Sequence, residues 1–233
     1  MTWTTKTRGR VRAILPSIAL LAGAGLAACD DKNDILAVIT PVQNVVVTTF
    51  KDPVFDFATL HTFSMPDTVI HFDPLTGTPL SVTRQFDATA LQAVRQNLLA
   101  RGYTEVTAGA GVTPSFVVLV GATATENYNA FVGYSWFNVW GFYNGWAFYT
   151  PGFDNSWGIV YPWYPTSGVT AYARGTLVTT IIPTLTVNPL AKNITAAWAG
   201  VATSLLNDGV TAAGVTAAVN QMFVQSPYLT ATP

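Results

Sequence analysis

One stretch of the chain constrains its fold more than any other, because it gathers most of the aromatic residues without a regular period. Residues 127–173 hold 17 of the 29 aromatic side chains, and Asp154 is their only charged residue. Six glycines interrupt the stretch, and neither a helical nor an alternating apolar pattern survives. Long segments of this kind are usually functional or disordered. We therefore predict an irregular insertion, named here the aromatic segment (residues 127–173), around which the flanking elements build the fold.

The first 28 residues have the pattern of a secretory leader. Four of the eleven basic residues lie within the first twelve positions, and the sixteen residues 13–28 carry no charge. A basic start followed by an apolar run shorter than the about 20 residues of a membrane span predicts a signal peptide. The sequence Leu26-Ala27-Ala28-Cys29 resembles the bacterial lipobox and predicts lipidation of Cys29. The alternative is an ordinary signal peptide, cleaved near an A-x-A site, with an incidental cysteine.

Three acyl chains on Cys29 would anchor the protein stably, because two or more chains are sufficient to hold a protein on a membrane. Residues 29–44 are then predicted to be a solvated tether. The sequence thus predicts a cell-envelope protein that faces the periplasm. Asp30 resembles the signal that retains enteric lipoproteins in the inner membrane. It favours the inner over the outer membrane without deciding between them.

Charge and cysteine content exclude several classes of protein. Without residues 1–28 the chain keeps seven basic and twelve acidic residues, a formal net charge of -5. This acidic balance argues against a nucleic-acid partner, since such proteins usually carry a basic patch. The lone cysteine excludes a disulfide framework and a cysteine-rich zinc site. With half of its residues apolar and a tenth charged, the chain is not intrinsically disordered.

Regular elements are predicted on both sides of the aromatic segment. Strands are predicted at residues 45–50, 59–65, 103–106, 116–120, 176–186 and 194–205. A helix is predicted over residues 87–101, with Asp87 as its cap and Gly102 in the left-handed position after its end. A second helix begins after the cap Thr211 and ends before Pro227. The apolar stripes of the two helices are Leu91, Val94, Leu98 and Leu99, and Val215, Val219, Met222 and Phe223.

The order of these elements predicts an α+β fold in a single domain, residues 45–229. Short connections between strands favour a mostly antiparallel sheet, with the two helices packed on one face and the aromatic, glycine-rich insertion leaving it. Pro183 lies late in its strand and indicates a bulge or an edge position.

The chain resembles the bacterial lipoprotein family known as domain of unknown function 4136, over residues 45–228. The motifs that carry the resemblance are Asp56-Phe57 followed by Thr62-Phe63, the helix end Leu98-Leu99-Ala100-Arg101-Gly102-Tyr103, the strand at residues 114–120, Gly175-Thr176-Leu177-Val178, and Ala197-Trp198-Ala199-Gly200. The family tends to carry acids where this chain has Thr180 and Pro183, and often a basic residue where it has Ala199. The resemblance implies the fold and an envelope location. Because the family has no established activity, it implies no reaction.

The sequence contains no catalytic or metal-binding motif. The two histidines, His61 and His71, have Asp67 and Asp73 nearby, but no metal-ligand spacing arranges them. Neither a G-x-S-x-G elbow nor a phosphate-binding loop is present. Glu126 and Asp154 flank and interrupt the aromatic segment without anything to align them as a pair. We therefore predict no catalytic residue, no metal and no cofactor.

The aromatic segment is the remaining candidate for function. Trp and Tyr dominate binding hot spots, so the segment is interpreted as a surface that binds an envelope protein or a glycan. The candidate residues are Trp136, Trp140, Tyr143, Trp146, Tyr149, Trp157, Tyr161, Trp163 and Tyr164. Three alternatives stay open: insertion into the bilayer interface, which Trp and Tyr also favour; rings that fold back to cover the sheet; and an enzyme that acts on peptidoglycan or another glycan.

Overall fold

The strands of the described chain form one large mixed sheet and one small one. The computed structural model describes residues 38–42, 45–71, 84–107, 112–123, 158–160, 162, 175–206 and 209–231. Its strands are β1 (Val38–Val42), β2 (Val45–Lys51), β3 (Thr62–Ser64), β4 (Ile70–His71), β5 (Thr104–Glu105), β6 (Phe116–Thr123), β7 (Gly158–Val160), β8 (Thr176–Pro183), β9 (Asn193–Thr195) and β10 (Trp198–Thr203). The helices are α1 (Asp87–Ala100) and α2 (Ala212–Val224), with short 3-10 helices at Phe57–Thr59 and Thr184–Thr186.

The large sheet has the order β1-β2-β10-β8-β6-β3-β5, and β4 pairs with β6 beside β3. The pairs β1–β2, β2–β10, β10–β8 and β8–β6 are antiparallel, while β6–β3, β6–β4 and β3–β5 are parallel. β7 and β9 form the small parallel sheet. This architecture confirms the predicted α+β fold. The long strands pair with one another antiparallel, and every parallel pair includes a short strand.

The two central strands, β6 and β8, are buried at all eight positions each. Their sequences are continuous runs of apolar and β-branched residues rather than alternating ones. A run of this kind is expected where both faces of a sheet are covered. Pro183 ends β8 opposite Phe116. It therefore lies at the end of a central strand, and not at the bulge or edge that the sequence predicts, because the strand stops there and needs no further hydrogen bond from that nitrogen.

Both helices pack on the same face of the sheet. Val94 and Leu98 of α1 and Val219 and Phe223 of α2 belong to one apolar core with alternate residues of the central strands. The Thr211 side chain accepts a hydrogen bond from the Gly214 backbone at 3.1 Å, which confirms the predicted cap of α2. Gly102 has φ of +85°, the left-handed conformation predicted after α1.

Three segments differ from the sequence prediction. β1 lies in the part of the chain predicted as tether, and its Pro41 fits because β1 is at the edge of the sheet. The predicted strand at residues 194–205 is split into β9 and β10, which belong to different sheets. β7 forms within the aromatic segment, predicted as irregular, because its partner β9 lies more than 30 residues away along the chain and leaves no local pattern.

All described residues belong to one compact unit, Asp34–Pro233. No helix among them is both long and apolar enough to cross a lipid bilayer. The predicted signal peptide, residues 1–28, and Cys29 lie outside the described residues.

Candidate functional site

The binding residues predicted from the sequence lie outside the described residues. This holds for Cys29 and for all nine aromatic candidates, namely Trp136, Trp140, Tyr143, Trp146, Tyr149, Trp157, Tyr161, Trp163 and Tyr164. Glu126 and Asp154, which the sequence does not align as a pair, lie outside the described residues as well. The structure describes the part of the sheet from which the aromatic segment departs and to which it returns. It also describes one short strand within the segment, β7.

The connection between β6 and β8, residues 124–174, contains the aromatic segment. It leaves β6 and rejoins β8 at the same end of these two central strands. Thr123 pairs with Thr176 in the register of β6 and β8. The Gly175 nitrogen donates a hydrogen bond to the Thr123 carbonyl at 2.9 Å, and the Leu206 nitrogen donates one to the Gly175 carbonyl at 2.8 Å. Gly175 has φ of +76°, which favours glycine. We call this end of β6 and β8 the stem end, and the opposite end, at Phe116 and Pro183, the far end.

A small cavity of about 60 Å³ lies at the stem end, on the helix side of the sheet. It is lined by His71, Phe86, Asp87, Ala90, Ala122, Leu177 and Leu206. Most of these side chains are apolar. Ala122 lies near the end of β6 and Leu177 near the start of β8, on the two sides of the β6–β8 connection. His71 and Asp87 supply the polar part of the lining.

His71, Asp87 and Arg84 form a connected polar group beside this cavity. The His71 Nε2 atom lies 2.7 Å from Asp87 Oδ1, and Arg84 Nη1 donates to Asp87 Oδ2 at 2.9 Å. Arg84 Nη1 also donates to the Val69 carbonyl at 2.8 Å. The His71 side chain is 5% exposed, so this contact joins a buried imidazole on β4 to the first residue of α1.

The role of Asp87 differs from the predicted helix cap. Phe86 occupies the cap position of α1 and makes no side-chain cap hydrogen bond, while Asp87 is the first helical residue. Its carboxylate binds His71 and Arg84 instead, and the hydrogen bond between a guanidinium and a carboxylate is one of the strong ones in proteins. Its negative charge still lies at the N-terminus of α1, where the helix dipole stabilises it.

The chemistry of this group is that of an oriented imidazole. A carboxylate that binds one ring nitrogen fixes the orientation of the ring, as in many catalytic and metal sites. The other residues that line the cavity are apolar and offer no nucleophile or second acid. Among the described residues, the group therefore holds β4 against α1 and provides no set of residues for a reaction.

The structure does not assemble the two histidines weighed as metal ligands. His71 binds Asp87, whereas His61 is exposed just before β3 and Asp67 binds Arg95 at 2.8 Å. Asp73 lies outside the described residues. Among those described, no three His, Cys, Asp or Glu side chains are close enough together to hold a metal ion.

No sequence pattern indicates the contact between His71 and Asp87. The two residues are 16 positions apart, and β4 has only two residues, so no period links them. Their proximity follows from the parallel pairing of β4 with the end of β6, where His71 lies opposite Ala122. That pairing is not visible in the sequence.

Comparisons with known proteins agree with this fold. A family model described as a domain of unknown function, DUF4136, matches residues 46–228. The crystal structure of a DUF4136 family protein from Bacteroides thetaiotaomicron is similar to this chain with a TM-score of 0.57 and 21% identity, over 81% of this chain and 99% of that one. At this identity the similarity concerns the fold alone.

A PDZ domain protein from Parabacteroides distasonis is similar with a TM-score of 0.39 and 14% identity, over 78% of this chain and 35% of that one. This likeness is too low to carry an argument. No curated protein matches the chain.

Proposed function

This chain belongs to the DUF4136 family, a family described as a domain of unknown function, and we propose that it is a lipid-anchored cell-envelope protein that binds an envelope protein or a glycan through its aromatic segment. In this proposal the chain faces the periplasm and catalyses no reaction. The observation that carries the proposal is the stem end, where both ends of the β6–β8 connection are fixed on neighbouring central strands.

A fixed stem favours binding because recognition loops work best when a rigid scaffold positions them. β6 and β8 pair over eight residues each, up to the last position before the connection. Their side chains are buried throughout, so the strands that hold the connection are among the best-packed elements of the described chain. β7 adds a third attachment, through its pairing with β9.

The composition of the aromatic segment suits an apolar or glycan partner. Tyr and Trp combine a large apolar ring with a polar tip, so they can stack on a sugar ring or fill a protein pocket while keeping a hydrogen bond. Asp154 is the only charge among residues 127–173, and the segment carries no Lys or Arg. A partner recognised mainly by charge therefore fits the segment poorly, and this holds for anionic lipid surfaces too.

The anchor in this proposal is Cys29. Cleavage before this residue removes the basic, apolar leader, and acyl chains on the new N-terminus hold the protein on a membrane. We expect the full chain, expressed in a bacterium, to fractionate with membranes, and Cys29→Ser to remain uncleaved or to leave the membrane fraction. A Cys29→Ser chain that incorporates labelled fatty acid as the parent does would contradict the anchor.

Binding is tested on the mature protein with Cys29→Ser, so that acyl chains play no part. Peptidoglycan sacculi and an immobilised envelope protein extract are the probes for co-sedimentation, and neutral phospholipid vesicles are the probe for flotation. A variant with Trp136→Ala, Trp140→Ala and Trp146→Ala is expected to lose at least tenfold in retention by one of the first two probes. This loss corresponds to about 1.4 kcal/mol, which is small for three aromatic hot-spot residues.

The matched control removes apolar side chains that are exposed elsewhere. Leu185 and Leu190 are 66% and 100% exposed, and Leu185→Ala with Leu190→Ala should retain full binding. Both variants must keep the parent's unfolding midpoint for the comparison to count. Equal retention of the triple variant and its parent would overturn the proposal. Flotation with vesicles, without retention by sacculi or extract, would identify the segment as a bilayer-interface element instead.

A further inference from the structure

Three aliphatic side chains are exposed on short turns at the far end of the sheet. Val54 lies in the turn that follows β2, and Leu185 and Leu190 lie between β8 and β9. These residues are 89%, 66% and 100% exposed. Single exposed apolar residues are common on protein surfaces, so their position and local structure decide whether these three have a role.

The turns start side by side at the far end. β8 ends two residues before Leu185, and β2 ends three residues before Val54. The Ala197 backbone joins the ends of both strands: its nitrogen donates to the Ile181 carbonyl at 3.0 Å, and its carbonyl accepts from the Asp52 nitrogen at 2.8 Å. The exposed aliphatic residues therefore extend from one end of the sheet.

Polar groups hold two of these turns in place. Asp52 Oδ1 accepts a hydrogen bond from the Val54 nitrogen at 3.0 Å. Asn188 and Asn193 exchange two backbone hydrogen bonds, at 2.8 and 3.2 Å, and so close the turn that carries Leu190. Because such turns are already ordered, contact with another surface costs them little further conformational entropy.

Leu185 is held in a similar way. On its two sides, the Thr184 hydroxyl donates to the Pro114 carbonyl at 2.7 Å and the Thr186 hydroxyl donates to the Thr195 carbonyl at 2.8 Å. The polar side chains of this short helix thus bind the rest of the protein, and its aliphatic side chain remains in solvent.

The chain enters the sheet from the same side. β1 is antiparallel to β2: its first residue, Val38, pairs with Thr49 near the end of β2, and its last, Val42, pairs with Val45 at the start of β2. β1 therefore runs from the far-end side towards the stem-end side. Cys29 is nine positions before Val38, a path of at most about 32 Å. A membrane that holds Cys29 must lie within this distance of β1.

We infer that the far end of the sheet faces the membrane and that Val54, Leu185 and Leu190 contact the lipid surface. This inference rests on the anchor proposed at Cys29. Aliphatic side chains are stabilised at the boundary between headgroups and acyl chains. Lys192, exposed in the turn of Leu190, suits the same place, because its stem can cover apolar surface while its charge stays in water. The stem end then faces away from the membrane.

The contact depends on the anchor. A single myristoyl chain binds membranes only marginally, and the three aliphatic side chains together have fewer carbon atoms than such a chain. The unanchored protein is therefore not expected to float with vesicles through these residues. Once an anchor holds the protein on the bilayer, they set which end of the sheet lies against it.

The test supplies the anchor chemically, so that its outcome does not depend on acylation in cells. Cys29 is the only cysteine of the chain, so the mature protein can be coupled through its thiol to a maleimide phospholipid in neutral phosphatidylcholine vesicles. Leu190→p-benzoylphenylalanine places a photoreactive group at the proposed contact. We expect irradiation to produce phospholipid adducts of this protein, detected by mass spectrometry.

Val46→p-benzoylphenylalanine is the matched control. Val46 is also an exposed aliphatic residue, at 40%, but it lies opposite Thr203 on the stem-end side of β2. We expect several-fold fewer phospholipid adducts from this position than from Leu190. Equal adducts from the two positions, more from Val46, or none from Leu190 would overturn the inference. Failure of acylation at Cys29 in cells would instead count against the proposed anchor.

A second variant tests whether the three side chains form one contact surface. Val54→Ser with Leu185→Ser, in the protein that carries Leu190→p-benzoylphenylalanine, removes the other two aliphatic side chains. Because both positions are exposed, the unfolding midpoint should stay the same. We expect a several-fold loss of phospholipid adducts on the same vesicles, and unchanged adducts would contradict the proposed surface.

Discussion

At Gly200 the sheet and α2 approach too closely for any side chain. A β-carbon there would lie 2.7 Å from Met222 Sδ and 2.8 Å from the Trp198 ring. Trp198 cannot move away easily, because its indole nitrogen donates to Ser226 Oγ at 2.8 Å and its ring packs on Phe223. The Trp-x-Gly pattern of the family motif thus has a packing reason in this chain.

Gly200→Ala is therefore expected to lower the free energy of unfolding by about 1–3 kcal/mol, the usual cost of overpacking a core. Chemical denaturation measures it. The flexible Met222 contributes part of the clash, so the cost should be smaller in a Met222→Ala background. An equal cost in both backgrounds would show that Met222 is not the obstacle.

Tyr103 carries a buried hydroxyl without a hydrogen-bond partner among the described residues. Burial raises its pKa to about 12, against a small opposing effect of Arg101. Because the folded state holds this proton more tightly than the unfolded state, whose tyrosines titrate near 10, the free energy of unfolding does not depend on this titration below about pH 10. It falls as the pH rises from about 10 to 12.

Tyr103→Phe removes both the unpaired hydroxyl and its titration. We expect the variant to be as stable as the parent or slightly more stable at pH 7, since an unpaired buried hydroxyl contributes nothing favourable. Between pH 9 and 11.5 the parent should lose stability faster than the variant. Denaturation curves at a series of pH values measure this, and parallel losses in the two proteins would exclude Tyr103 as the titrating group.

Among the elements, β4 has only two residues, and a side-chain contact holds it to α1. His71 on β4 and Arg84 both bind the Asp87 carboxylate, at 2.7 and 2.9 Å. Asp87→Asn keeps the shape of the side chain but removes its charge. We expect a loss of about 1.5–3 kcal/mol in unfolding free energy, the range for hydrogen bonds to charged groups.

Asp67→Asn is the matched control for this change. Asp67 also binds an arginine at 2.8 Å, but its side chain is 90% exposed, and such ion pairs contribute about 0–1 kcal/mol. Thermal and urea unfolding of both variants give the comparison. Equal effects of the two substitutions would show that the group around His71 does not hold β4 in place.

The sequence predicts the long elements well, and of the short strands it predicts β3 and β5 but not β4 and β7. The apolar stripes of α1 and α2 and the continuous apolar runs of β6 and β8 are local patterns, so they specify their elements without knowledge of the fold. β4 and β7 have two and three residues, and their partners β6 and β9 lie far along the chain. Their existence depends on the tertiary structure, and so does the pairing of His71 with Asp87.

On the scale of the whole molecule, the chain combines a predicted anchor, a sheet whose two central strands are buried on both faces, and a long aromatic connection between those strands. The nearly uncharged composition of the connection fits the proposal that its aromatic residues bind an apolar or glycan partner. Without residues 1–28 the formal net charge is -5, and four of these five negative charges lie outside the aromatic segment, where Asp154 is the only charged residue.

The most direct measurement of the central claim, binding through the aromatic segment, is photo-crosslinking from this segment in living cells. The full chain with Trp146→p-benzoylphenylalanine is compared with Leu190→p-benzoylphenylalanine, a position that is 100% exposed on the described surface. We predict that the first position forms adducts with an envelope protein or a glycan and that the second does not. Identical adducts from both positions, adducts with phospholipid alone, or none from Trp146 would contradict the claim.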